Sequence, residues 1–265
     1  MDELGFDFGT SAAWFHHRQN QPYVLVKLTA QQAAALATEM AIATRRCYIA
    51  DQMLIGRAAQ LGLPQADVLA AKLPDPGSTM AGDFGEIFCY FYQSTKEHPA
   101  FAIGAKKWRL KQDRTKPAPK SDVVHFLMPN RPNPSAQDAI LCSEVKVKST
   151  AGNSTPIASA IADCTKDRTS RLVDTLVWLR ERAMFEDLGD IDIPLLDRFI
   201  NLVRYPTVSK RFRAVAVICD SLSANELLAA PTVANPDFTL VVIQVPDLKA
   251  TYEAVFAATS AAVPA

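Results

Sequence analysis

Asp122 and Glu144, with Lys146 two residues beyond the second acid, form the set in this sequence best suited to breaking bonds. Two carboxylates brought together repel, and each raises the pKa of the other, so the pair is tolerable chiefly with a cation between them. Ligands that are all oxygen suit Mg²⁺, with Mn²⁺ as its substitute. A lysine two residues beyond the second acid puts an ammonium beside that ion, where it orients an attacking water or offsets charge on a phosphate. Asp…Glu-x-Lys is therefore a formula for phosphodiester hydrolysis. Taken alone, E-x-K is common and charge on an open strand face is ordinary, so its weight depends on its surroundings.

Those surroundings begin with two strand-like runs, KSDVVHFLM (120–128) and DAILCSEVKVK (138–148), joined by the loop PNRPNPSAQ, whose prolines exclude a helix. If the runs pair as an antiparallel hairpin, the midpoint of Asp122 and Glu144 falls at Asn133, inside the loop, and the two carboxylates lie opposite each other. Alternation then gives Glu144, Lys146 and Lys148 one face and Val145 and Val147 the other. His125 falls on the opposite face from Asp122, as a satisfied core or interface histidine would.

Upstream, GDFGE at 82–86 puts Glu86 in the first turn of an aromatic-rich helix predicted over Gly82–Gln93, with Ile87, Tyr90 and Phe91 on its apolar face. Asp83 followed by Glu86 also fits a capping box, so Glu86 can serve either a cap or a site. Between this helix and the hairpin runs AKKWRLKQDRTKPAPK (105–120). Here Lys106, Lys107, Arg109, Lys111, Arg114, Lys116 and Lys120 meet one opposing charge, Asp113. Such a run around Trp108 can hold a phosphate backbone or be a solvated loop.

The flanks alternate strand and helix. A strand over 22–28 leads into helical stretches from Thr29 to about Arg45 and over Gln52–Leu61, before Pro64, Pro74, Pro76 and Gly77 break the pattern. Beyond the hairpin, a helical pattern runs from Pro156 to Phe185 on Leu172, Leu176 and Leu179, and another covers 193–204. Strands at 214–220 and 238–245 then precede a helix from Leu248. This order predicts an α/β layer architecture: an N-terminal α/β extension over 1–77, free to dock a partner, and a catalytic domain over 78–265.

Composition narrows the function classes. The 265 residues carry 28 basic and 28 acidic side chains, so the whole molecule exerts no general pull on nucleic acid and any DNA affinity must be local. The five cysteines show no C-x-x-C pair, which suits reduced thiols and a cytoplasmic location. An acidic start and the lack of a long apolar run predict neither a signal peptide nor a membrane span. LGFDFGTS (4–11) resembles the first phosphate loop of sugar kinases and Hsp70-like ATPases, yet the Gly-Gly adenosine turn of that fold has no counterpart here. The adjacent His16 and His17 read as an incidental pair, since strand neighbours point to opposite faces.

Taken together, GDFGE (82–86), PKSDVVHF (119–126) and SEVKVKS (143–149) resemble the motifs of HamA, the nuclease subunit of the Hachiman antiviral defence system of bacteria. The resemblance implies a PD-(D/E)xK restriction-endonuclease-like core, a mixed central sheet flanked by helices. It also implies DNA cleavage, with Asp122 and Glu144 as metal ligands, Lys146 as the catalytic lysine and Glu86 as the helical acid. A superfamily 2 helicase, HamB, is the partner it implies. The absence of a G-x-x-x-x-G-K-[ST] loop is consistent with ATP being handled by another chain. The full expectation adds the Val145 carbonyl as a third ligand and Lys111, Arg114, Lys116, Lys120 and Lys148 as DNA contacts, in a Mg²⁺-dependent deoxyribonuclease restrained by its partner. The alternative is a non-catalytic subunit that clamps DNA or regulates a helicase, which net neutrality suits. Lys146 discriminates between them, because a clamp gains little from an acid pair that repels phosphate.

Overall fold

The segments around Ala214–Cys219 and Leu240–Val245 are apolar almost without alternation, the pattern of strands buried on both faces between helical layers. The computed structural model, which describes residues 3–15, 17–20, 22–98, 102–201, 203–206 and 208–264, places them at the centre of a seven-stranded sheet. The strands are β1 (His17–Asn20), β2 (Val24–Lys27), β3 (Ala102–Gly104), β4 (Val123–Leu127), β5 (Ala139–Lys148), β6 (Ser209–Cys219) and β7 (Thr239–Val245), in the order β1-β2-β7-β6-β5-β4-β3. β2, β7, β6 and β5 run parallel, while β4 and β3 continue antiparallel from β5 and β1 pairs antiparallel with β2.

Helices cover both faces, as the α/β expectation required. Val145, Val215, Val217, Val241 and Ile243 point into a core shared with α1 (Ala30–Tyr48), α4 (Ser78–Glu97) and α9 (Leu248–Ala261). The alternate residues Ala214, Ala216 and Val242 meet α5 (Pro156–Lys166) on the other face. Val124, Phe126 and Ile140 meet α6 (Leu172–Arg182) and α7 (Ile193–Ile200) there. The shorter α2 (Asp51–Leu61), α3 (Gln65–Ala70) and α8 (Asp220–Leu227) complete the layers.

Residues before 77 pack into the same core as those after it: β2 pairs with β7, the Tyr48 ring lies 6.2 Å from that of Phe256, and Leu4, Phe15 and Leu36 share one cluster with Phe88 and Tyr252. Two expectations change. The helix expected from Gly82 begins at Ser78, which moves Glu86 from the first turn to the third and removes the capping box. The single helix expected from Pro156 to Phe185 contains a π-turn at Asp167–Arg171 between α5 and α6, and it ends at Arg182. In the phosphate-loop look-alike, Leu4 and Phe6 are core residues and Phe6 stacks on Phe91 at 4.4 Å. His16 lies outside the described residues, as does the side chain of His17.

Candidate active site at the end of strand β5

The β4–β5 ladder pairs Val123 with Ser143 and Val124 with Cys142, so continuing it by one residue sets Asp122 opposite Glu144, the register expected from the loop midpoint. Asp122 fills the place of the next rung, its Oδ2 accepting from the Val145 N–H at 2.8 Å. The N–H and C=O of one strand residue leave on the same edge, so the Val145 carbonyl is directed to the side of Asp122. Val145 itself packs inward, leaving Glu144 and Lys146 on the other face.

Glu86 reaches this point because α4 lies unusually close to β5. A Cβ on Gly85 would stand 2.3 Å from Val147 Cγ2, so glycine is what permits the approach, and the next residue arrives beside the strand ends. The Trp108 indole N–H donates to Glu86 Oε2 at 3.1 Å. Lys107, on the same short turn, puts its Nζ 3.4 Å from Glu86 Oε2 and 3.6 Å from Asp122 Oδ1. On the far side, Glu144 Oε1 accepts from Lys146 at 2.6 Å and Glu144 Oε2 from Arg171 at 2.6 Å. Lys146 is also held by Asp163 at 2.8 Å, and Arg171 by Asp167 at 2.6 Å through Nε.

Glu86, Asp122 and Glu144, with Asp163 and Asp167 behind them, thus share three cations at the wall of an open groove of about 690 Å³, which Lys120 and Tyr252 also line. Burial raises the carboxyls of both Glu86 and Glu144 to about 8, and the charge on Asp122 adds to each shift, although Lys107 opposes that of Glu86. Lys146 moves up in turn, its ion pairs with Asp163 and Glu144 outweighing burial. Such a concentration of perturbed groups in a groove is a signature of a functional site.

Residues 30–259 match the model of the HamA family. The chain belongs to the HamA family. Membership fits a component of Hachiman anti-phage defence. A search of curated proteins found no match.

Of the expected site residues, Glu86, Asp122, Glu144, Val145 and Lys146 all line the one groove. The donor set, two carboxylates and a backbone carbonyl at an open groove, supplies oxygen only, which suits a hard divalent ion. Among the described residues no three His, Cys, Asp or Glu side chains form a metal site by themselves. The set here is two carboxylates and a backbone carbonyl, with cations filling the remaining space.

Of the residues expected to contact DNA, four lie in the basic run and Lys148 lies on β5, and each has a partner or a place at the groove. Lys111 is buried in an ion pair with Asp83 at 2.7 Å, and Lys148 donates to the Gly152 and Ser154 carbonyls and to Glu226 at 2.6 Å. Both ammonium groups are thus held by acceptors of the chain, that of Lys148 at the groove wall. Arg114 pairs with Asp75 at 2.6 Å, Lys116 is 74% exposed beside Asp113, and Lys120 stands on the groove wall. His125 is buried as expected, with Gln93 at 2.8 Å on Nδ1 and Ser94 at 2.7 Å on Nε2. Lys107, Asp163 and Arg171 were not among the expected site residues. The one signal for Lys107 was its place beside Trp108, which marks a turn folded inward.

Proposed function

We propose that this chain is a Mg²⁺-dependent deoxyribonuclease with a PD-(D/E)xK core, acting in an anti-phage defence complex and restrained there by a helicase partner. The reading rests on one observation, the convergence of Asp122, Glu144, the Val145 carbonyl and Lys146 on one groove at the register a hydrolytic centre requires. Asp122, Glu144 and that carbonyl would hold the ion, which when bound supplies Lewis acidity and a more acidic water. Lys146, steadied by Asp163, presents its ammonium at the groove to orient the attacking water in line with the phosphorus. Arg171 faces the same space and offers two N–H groups suited to phosphate oxygens.

A second reading has its own observation. Both Glu144 oxygens already lie 2.6 Å from cations, which also suits a structural acid in a DNA-clamping or regulatory subunit. Incubating wild type, Glu144→Ala and Lys146→Ala with supercoiled and linear DNA separates the two, using Mg²⁺ or EDTA and adding or omitting the co-encoded helicase. Metal-dependent degradation by wild type alone supports the nuclease, and the helicase lanes report restraint. Binding without cutting under every condition supports the clamp.

A further inference from the structure

The cation between Glu86 and Asp122 is supplied by the chain itself. Lys107 Nζ lies 3.4 Å from Glu86 Oε2 and 3.6 Å from Asp122 Oδ1, and it donates to the Ser121 carbonyl at 2.9 Å. Its side chain is 4% exposed. The residues around it are fastened separately: Lys106 to Glu3 at 2.7 Å, Trp108 to Glu86, Arg109 to the Arg46 carbonyl and Lys111 to Asp83. These contacts on either side fix the turn that presents Lys107 to the two acids.

We propose that Lys107 is a built-in counter-ion that occupies what would otherwise be a second metal position and limits the site to one divalent ion. The proposal rests on the metal-binding reading given above. Two-metal centres hold their ions about 3.5–4 Å apart, bridged by a shared ligand. Asp122 is the carboxylate placed to bridge here, with Oδ2 toward Val145 and Oδ1 toward Lys107. A second ion would need Oδ1 together with Glu86, and the facing oxygens of both belong to Lys107. Adding a divalent charge beside a buried ammonium would be strongly repulsive, because little solvent separates them. The ammonium shares Glu86 Oε2 with the Trp108 indole N–H, so the oxygen that a second ion would need has two donors of the chain beside it. Lys107 is thus a positioning residue that sets metal number, and Lys146 keeps the role of facing the reacting phosphate.

The test is Mn²⁺ stoichiometry on the full chain without DNA, by titration calorimetry and by electron paramagnetic resonance, which also reports spin coupling between paired ions. Wild type should bind one ion, and Lys107→Arg should do the same. Lys107→Ala, checked for folding by circular dichroism, should bind two ions with a coupled spectrum. Glu86→Gln should keep one ion, and this variant serves if Lys107→Ala does not fold. Two ions in wild type, one in folded Lys107→Ala, or none in Glu86→Gln would each overturn the proposal. No ion in wild type would overturn the metal-binding reading beneath it, an outcome distinct from the other three.

Discussion

The two ends of β5 carry buried acids solved in different ways. At its start, Asp138 meets one guanidinium: Arg198 donates to its two oxygens at 2.6 and 2.7 Å and spends its other N–H groups on the carbonyls of Asn130, Arg131 and Asn133. The partners are matched, and the pair ties the loop before β5 to α7. Toward its other end, five acids, Asp163 and Asp167 among them, share Lys107, Lys146 and Arg171 over distances from 2.6 to 3.6 Å, and Glu86 and Glu144 are pushed up to about 8. Both ends are buried and ion-paired, so neither property marks function. Nor does open space, since Arg198 lines a cavity of about 360 Å³; the difference lies in the unequal sharing.

Truncating a residue at each end should sharpen this contrast. Arg198→Ala leaves Asp138 without its partner and should cost about 3–5 kcal/mol of folding stability, read as a shift in the denaturation midpoint. A loss under about 1 kcal/mol would remove the distinction between a structural end and a functional one. Lys146→Ala should do the reverse, lowering DNA cleavage by about 10²–10³-fold while the melting temperature stays near wild type. A variant that cuts normally, or that unfolds, would put Lys146 with the structural pairs.

How much of this was legible in the sequence depends on the range of each interaction. The Asp122–Glu144 register followed from strand alternation and the loop midpoint, both local. The start of α4 did not, because Asp83 and Glu86 fit a capping box while the helix already begins at Ser78, and the need for Gly85 lies in Val147, on another element. The basic run looked solvated because its counter-charges are distant in sequence: Glu3 for Lys106, Asp83 for Lys111 and Glu86 for Lys107. Arg171 is brought to Glu144 from a π-turn, a local widening of the helix that periodicity does not reveal.

pH separates the two kinds of acid by sign. In a third cluster, the Arg46 hydrogen bonds, helped by Arg45, hold Asp51 down to about 2, below its usual 3.8. The stability it contributes is complete above its unfolded value and is lost as pH falls toward the folded one. Glu86 and Glu144 are raised, so the folded chain keeps protons that the unfolded chain has released. Stability should therefore fall as pH rises from about 4.5 to about 8. Denaturation of the metal-free protein across pH should show both slopes. Asp51→Asn should flatten the acid one and Glu144→Gln the neutral one; an unchanged neutral slope in Glu144→Gln would remove Glu144 from the raised pair.

The smallest expected effect concerns the basic residues that remain outside. Lys120 holds a left-handed backbone, φ 73°, at the groove wall, a strained conformation for a lysine and one that sets its side chain at the rim. Lys116 is open to solvent in a loose pair with Asp113 at 3.4 Å, and Arg114 is drawn to Asp75 and the Leu73 carbonyl. Each phosphate contact adds about 0.9 to the slope of log affinity against log salt for duplex DNA. Lys120→Ala should lower that slope by about one contact, whereas Lys116→Ala should leave it nearly unchanged, because an exposed side chain away from the groove loses little on truncation. Equal losses in the two variants would place DNA on the outer loop as well as in the groove, and the shared acid cluster would then lie at one edge of a wider nucleic-acid surface.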